Sequence, residues 1–281
     1  MKWYGYIGII LMALTVANFF AGIRPFSEWY IIFIWYGYIL LADSAVHYIK
    51  GRSMLTAYPK EFAFMLALSL PYWLIFEAYN LFTASWIYTN YVWYVHLFDF
   101  TTIMPAVLET FMLVSALGIG KRFDRAARKL SKAQLHRFNA PVYRKSVWAL
   151  VALGAVASAM PVLVPKYGFM FMWVGLFLLI DPLNYLTGRP SIVQKVSRGE
   201  KGIILRMFMA GLIMGLMWEF WNYQAFPRWH YNLPFSIPGI RLFAMPVLGY
   251  FGYLPFAMET FLFFALFRSF IFKGGNDLLE M

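Results

Sequence analysis

Apolar residues run through this chain in long, nearly unbroken stretches, and the polar residues that interrupt them recur in a fixed order. Eight stretches are long enough to cross a hydrocarbon core, which takes about 20 helical residues. They lie near residues 4–22, 28–48, 62–83, 98–118, 147–164, 168–187, 203–224 and 243–271. The last is interrupted by Pro246, Gly249, Gly252 and Pro255, which predicts a kinked or re-entrant entry. The first follows Met1-Lys2 as a signal peptide would. It lacks a small-x-small cleavage site and is long enough to span, so it reads as a retained helix.

The interruptions come in two sets. Asp43, Tyr48-x-x-Gly51-Arg52, Glu77-x-x-Asn80, Trp86-x-Tyr88 and Pro105-x-x-x-Glu109-Thr110-Phe111 form the first. Asp181, Tyr185-x-x-Gly188-Arg189, Glu219-x-x-Asn222, Trp229-x-Tyr231 and Pro255-x-x-x-Glu259-Thr260-Phe261 form the second. A repeat kept only for packing would repeat apolar residues, whereas this one repeats carboxyls. Four stretches belong to each set. An even number per set brings both halves in and out on the same sides, unlike the inverted repeats of many transporters. The expected fold is all-α: a polytopic integral membrane protein of about eight transmembrane helices in two parallel-repeated four-helix units. Residues 1–120 form the first unit, 121–146 a basic cytoplasmic linker and 147–281 the second unit.

Composition agrees. The 281 residues are 62% hydrophobic and 13% charged, against about 25% charged in a soluble domain. No cysteine is present, which excludes thiolate catalysis and Cys-ligated metals and leaves the redox compartment open. With the N-terminus in the cytoplasm, 20 of the 24 Lys and Arg fall on the inner side. Only Arg24, Lys166, Arg228 and Arg241 fall outside. This is the positive-inside pattern. It predicts cytoplasmic termini, and a plasma-membrane location if the source is prokaryotic. The net charge of +11 therefore reads as topology. The loop Lys121–Lys145 is expected to lie on anionic lipid as an interfacial helix, with membrane lipids rather than nucleic acid as its partner.

The rise of 1.5 Å per residue gives rough depths. Glu109 and Glu259 come out ~18 Å and ~14 Å from the inner boundary, near the midplane. Glu219 and Glu77 come out ~20 Å and ~25 Å up, in the outer half. The four are expected to converge on one region per half. A carboxylate at the bilayer centre costs about 2.5–3.5 kcal/mol on insertion scales, so compensation is needed. The neutral acid form is one, since burial disfavours charge. Pairing is another: Asn80 and Asn222 share a helix face with Glu77 and Glu219 and are expected to bond a carboxyl. Trp86, Tyr88, Trp229 and Tyr231 follow at a fixed place, and aromatic faces beside an acid suit a cationic intermediate. Asp43 with His47, and His96 with Asp99, have spacings that invite a metal, but only one set carries each His, and no metal site is assigned. Gly51-Arg52 and Gly188-Arg189 read as helix ends with inside anchors, or as arginines that bind lipid phosphate or pair with Asp43 and Asp181. Walker, GxSxG, HExxH, dinucleotide and paired Asp-rich motifs are absent.

The run Trp218-Glu219-Phe220-Trp221-Asn222, then Trp229-His230-Tyr231-Asn232, Gly239 and Leu254-Pro255-Phe256-Ala257-Met258-Glu259-Thr260-Phe261-Leu262-Phe263-Phe264 resembles the small membrane-embedded lycopene cyclases. These are the heterodimeric bacterial and fused archaeal and fungal types. The resemblance covers about 50 residues of the second half and, more faintly, 77–113. Where that family has paired acids, this chain has Glu259-Thr260 and Glu109-Thr110. The resemblance implies proton-initiated cyclisation or isomerisation of a carotenoid or other isoprenoid. Glu259 or Glu109 would donate, Glu219 or Glu77 would accept or orient through Asn222 or Asn80, and the Trp-x-Tyr pairs would line the cation. The substrate would be an apolar lipid or polyene, and an isomerisation needs no redox cofactor. Two other classes stay open: a proton- or ion-coupled transporter using the glutamates as a relay, and a non-catalytic membrane scaffold in which they join helices.

Overall fold

The computed structural model describes residues 1–90, 92–121, 124, 141–233 and 240–272. Its elements, in chain order, are α1 Trp3–Ala21, α2 Tyr30–Lys50, α3 Met54–Ala57, α4 Pro59–Thr83, β1 Trp86–Thr89, α5 Trp93–Phe100, α6 Ile103–Ala116 and α7 Pro141–Leu163. There follow α8 Pro165–Leu186, α9 Ile192–Ser197, α10 Gly202–Gln224, β2 Arg228–Tyr231, β3 Arg241–Leu242, β4 Met245–Pro246, a 3-10 helix Val247–Gly252 and α11 Tyr253–Ile271. Among the described residues eight helical segments are long and apolar enough to cross a membrane, and they coincide with the eight expected stretches. The expected kinked entry is the 3-10 turn that leads into α11. The expected interfacial helix over Lys121–Lys145 falls largely outside the described residues. Of that loop, Asp124 accepts from Gly202 N–H at 2.7 Å and pairs with Arg206 at 2.9 Å.

The fourth span is broken, and Ser69 breaks it. In an uninterrupted helix the Met104 N–H would donate to the Phe100 carbonyl. The Ser69 hydroxyl, reaching in from α4, donates to that carbonyl at 2.5 Å and accepts from that N–H at 2.9 Å. A side chain inserted into the helical ladder is a recognised cause of a bend. The bend separates α5 from α6.

Packing relations recur between the halves. α1 lies on α2 as α7 lies on α8, α2 on α6 as α8 on α11, and α4 on α11 as α10 on α6. Tyr72 of α4 meets Thr260 of α11 at 2.9 Å, while Met214 of α10 accepts from Thr110 of α6 at 2.9 Å. One apolar core runs through both halves. β1 and β2 pair antiparallel, Trp86 opposite Tyr231 and Tyr88 opposite Trp229. Each Trp thus faces the other strand's Tyr, the self-complementary register of a two-fold contact.

Gly51 and Gly188 take the left-handed backbone (φ +75° and +71°) at the ends of α2 and α8, as a glycine stop requires. Asp43 and Asp181 are spent on the next turn of chain. Asp43 accepts from Leu55 N–H at 2.9 Å, Ser53 at 2.7 Å and Tyr4 at 2.6 Å. Asp181 accepts from Ile192 and Val193 N–H at 2.7 and 3.1 Å. Both carboxyls therefore hold the first turns of the short helices α3 and α9, where unpaired N–H groups favour an acidic acceptor. The expected pairing of these aspartates with Arg52 and Arg189 is not found among the described residues. Arg189 instead donates to Ser269 at 2.6 Å and lies over the Phe270 ring.

Candidate functional site

The β1–β2 ribbon is held by two asparagines. Asn80 accepts from the Trp86 N–H at 3.1 Å and donates to the Trp86 carbonyl at 2.9 Å. Asn222 does the same to Trp229, at 2.9 and 3.0 Å. The expectation that these amides bond a carboxyl is corrected. The chain turns back within six or seven residues, and the tryptophan backbone offers each amide a complete donor–acceptor pair. Neither asparagine lines the cavity described below, so neither contacts a ligand there. Asn80→Ala or Asn222→Ala leaves two half-buried strand groups unpaired and is expected to cost about 1–3 kcal/mol. Thermal melting in detergent measures this, and an unchanged Tm would refute the clamp.

Period-two alternation sends Trp86 and Tyr88, and likewise Trp229 and Tyr231, to the same face of their strands. Their polar edges meet the outer pair of glutamates. Glu77 accepts from Trp73 Nε1 at 2.9 Å, Trp86 Nε1 at 3.2 Å and Tyr88 at 2.5 Å. Glu219 accepts from Tyr231 at 2.5 Å and Tyr253 at 2.9 Å, while Trp229 Nε1 donates to the Tyr231 oxygen at 3.1 Å. Local space explains why the two sets differ. Position 215, which corresponds to Trp73, is glycine, and a Cβ there would strike the Tyr253 ring. Tyr253 fills beside Glu219 the role that Trp73 fills beside Glu77.

Beneath the ribbon lies a cavity of about 70 Å³ that opens to the outside. Trp73, Trp86 and Tyr88 line it from the first half, and Trp218, Trp229, Tyr231 and Tyr253 from the second. Trp173 of α8 and Phe256 of α11 close one side, their rings 5.7 Å apart. Gly252 leaves room on another, while Gly249 lies against the Met245 side chain. Among the described residues one carboxyl belongs to the lining: Asp99, on α5 just before the Ser69 break. It is 3% exposed, and its Oδ1 has no hydrogen-bond partner. His96, one turn earlier, packs its ring 4.4 Å from that of Tyr88.

The four glutamates occupy two levels, so the expected convergence is corrected. Gly211 of α10 lies against the backbone of Tyr253 and the Ala257 side chain. Glu219 is eight residues from that crossing in one direction, and Glu259 lies beyond it in the other, roughly 18 Å apart along the helices. Glu109 and Glu259 are fully buried. Among the described residues no hydrogen bond of ordinary length and angle reaches their carboxyl oxygens. The Asp43 carboxyl lies beside Glu109 and the Tyr72 hydroxyl beside Glu259. Neither glutamate lines the aromatic cavity, so neither is placed to donate a proton within it. Asp43 and His47 do not form a pair: His47 Nδ1 meets Thr56 at 3.1 Å. Asp99 and Tyr253, which do line the cavity, lack a counterpart in the other set, so the repeat did not single them out.

No known protein family, curated protein or solved structure matches the chain.

Proposed function

We propose that the chain is a multi-pass membrane protein of two parallel four-helix units, and that it isomerises or cyclises a carotenoid or other isoprenoid lipid in the aromatic cavity. The observation that carries this reading is the lining itself. Tryptophan and tyrosine rings surround the space, and the polar edges of Trp73, Trp86, Tyr88, Tyr231 and Tyr253 are engaged by Glu77 and Glu219. What faces a ligand is mainly ring surface, with one acid, Asp99. Such a lining suits a long unsaturated hydrocarbon. The positive-inside charge pattern sets both termini in the cytoplasm.

The chemistry needs no oxidant. Asp99 passes a proton to one carbon of a double bond, leaving a carbocation. A second double bond attacks it, forming a carbon–carbon bond and moving the charge. A neighbouring C–H then gives up its proton to restore a double bond, so substrate and product have equal mass. Tyr88 with Glu77, or Tyr231 with Glu219, is arranged to take that proton: the hydroxyl oxygen receives it as the hydroxyl hydrogen passes to the carboxylate. This assignment replaces Glu109 and Glu259 as donors.

Expression in a host that makes acyclic polyenes tests the reading. The wild-type protein is expected to convert a polyene to an isomer of equal mass, and the double variant Glu77→Gln/Glu219→Gln to slow this by about 10²–10⁴-fold. Glu259→Gln is expected to leave the product pattern unchanged. Full activity in that double variant with loss in Glu259→Gln would move the chemistry out of the cavity.

A further inference from the structure

We propose that a second cavity, at the end of the bundle remote from the start of α1, binds the phosphate group of a lipid. It is separate from the aromatic cavity and does not depend on the reaction proposed above. Its volume is about 460 Å³, within the range of small-molecule sites. It sits where α1 and α10 end and α2 and β2 begin, so both halves build it. Arg24, in the turn between α1 and α2, lines it from the first half, and Arg228, the first residue of β2, from the second.

Three observations converge. The first is charge. The positive-inside pattern leaves this side of the membrane with four cations, Arg24, Lys166, Arg228 and Arg241, and two of the four line this one cavity. Two guanidinium groups facing one space repel each other, and an anion between them turns that repulsion into attraction. Among the described residues no Asp or Glu lines the cavity. Glu28 meets Arg24 from outside it at 3.7 Å, with the Arg24 side chain 71% exposed, and such a contact contributes little. Arg228 reaches the Tyr223 carbonyl only at 3.5 Å. A guanidinium presents its N–H groups as a fork that matches phosphate oxygens.

The second is the set of neutral polar groups. Ser27, Asn90 and Gln224 also line the cavity, and among the described residues no side-chain hydrogen bond holds them. One hydroxyl and two amides supply further donors. The third is an apolar wall beside the charge. Phe19 and Tyr30 stand with ring centroids 5.9 Å apart, and the Phe226 ring lies 5.6 Å from the Arg24 guanidinium. Val16, three residues deeper on the same face of α1, is exposed. A phosphate that carries an apolar chain fits both parts, its headgroup between the arginines and its chain along α1. The repeat does not build the site twice. At the offset that relates Trp86 to Trp229, Arg228 corresponds to Ser85, and at the one that relates Asn80 to Asn222, Gln224 corresponds to Phe82.

Native mass spectrometry of the purified full-length protein in non-ionic detergent, mixed with equal amounts of phosphatidic acid and the diacylglycerol of the same chains, reads retention of each lipid. The wild type is expected to retain phosphatidic acid in preference. Arg24→Gln/Arg228→Gln is expected to weaken binding of the first phosphatidic acid at least about tenfold, through loss of charge-assisted bonds to the phosphate. Lys166→Gln/Arg241→Gln removes the same charge from the same side and is expected to match the wild type. Excess inorganic phosphate alone separates the sources. Preferential lipid retention with no rise in Tm from inorganic phosphate assigns the site to a lipid headgroup. A rise that the Arg24→Gln/Arg228→Gln protein lacks, without preferential lipid retention, assigns it to free phosphate and overturns the lipid. Equal retention of the two lipids by the wild type, with no effect of inorganic phosphate, overturns the proposal without recourse to any variant. Undiminished retention in a folded Arg24→Gln/Arg228→Gln protein, or an equal loss in both double variants, overturns it too.

Discussion

Asp99→Asn is expected to reduce isomer formation at least about 100-fold, the usual contribution of a positioned acid. The change keeps the side chain's size and removes the proton and the charge. Asp99 Oδ1 accepts no hydrogen bond among the described residues, and the Thr102 hydroxyl beside the carboxyl can still be met by the asparagine oxygen, so the fold is expected to remain intact. Product yield in a polyene-producing host, normalised to folded protein, gives the effect. Asp99→Glu keeps the acid but moves it by a methylene, and is expected to recover part of the activity. A loss that tracks only the amount of folded protein would make Asp99 structural. Full activity in Asp99→Asn would remove it from the mechanism.

Gly211→Val is expected to cause the largest loss of stability that also reaches the site. A Cβ at 211 would collide with the Tyr253 carbonyl oxygen, a backbone atom at the start of α11 that cannot swing aside as a side chain can. Overpacking of this kind costs about 1–3 kcal/mol, occasionally more, which lowers Tm by about 2–12 °C for a chain near this size. Forcing α10 and α11 apart also draws the Tyr253 hydroxyl away from Glu219, now 2.9 Å distant. Thermal melting and product yield are therefore expected to fall together in Gly211→Val, with a smaller effect of the same sign in Gly211→Ala. If stability falls and the product pattern is kept, the Tyr253–Glu219 contact is dispensable.

The eight spans were legible because apolar run length is a strong signal, and the kinked entry because Pro246, Gly249, Gly252 and Pro255 cluster there. The Trp-x-Tyr pairs were legible because they recur. Depth was read along each helix from the rise per residue, but depth does not say which way a side chain points. That is why Glu109 and Glu259 were grouped with Glu77 and Glu219. The asparagines misled for a related reason. Their spacing puts them on the glutamates' face, yet the strand that folds back offers a better partner than a carboxyl does. The rest of the cavity was hidden by the repeat itself. Recurrence finds positions where the halves agree, whereas Trp73 against Gly215, Asp99 against Gly249 and Ile103 against Tyr253 are positions where they differ. The Ser69 insertion left no sequence signal, since one serine among apolar residues has many uses.

The central claim is that the aromatic cavity holds an apolar isoprenoid or polyene. Mass spectrometry of the lipid extract from protein purified in mild detergent tests it most directly, comparing wild type with Gly252→Phe. Gly252 has ordinary helical angles, and among the described residues a Cβ there would meet only Trp173, at 3.8 Å, so a larger side chain starts without backbone strain. The account predicts an isoprenoid or polyene that copurifies with the wild type and is missing from the folded variant. The same molecule retained by both proteins, or absent from both, would contradict it.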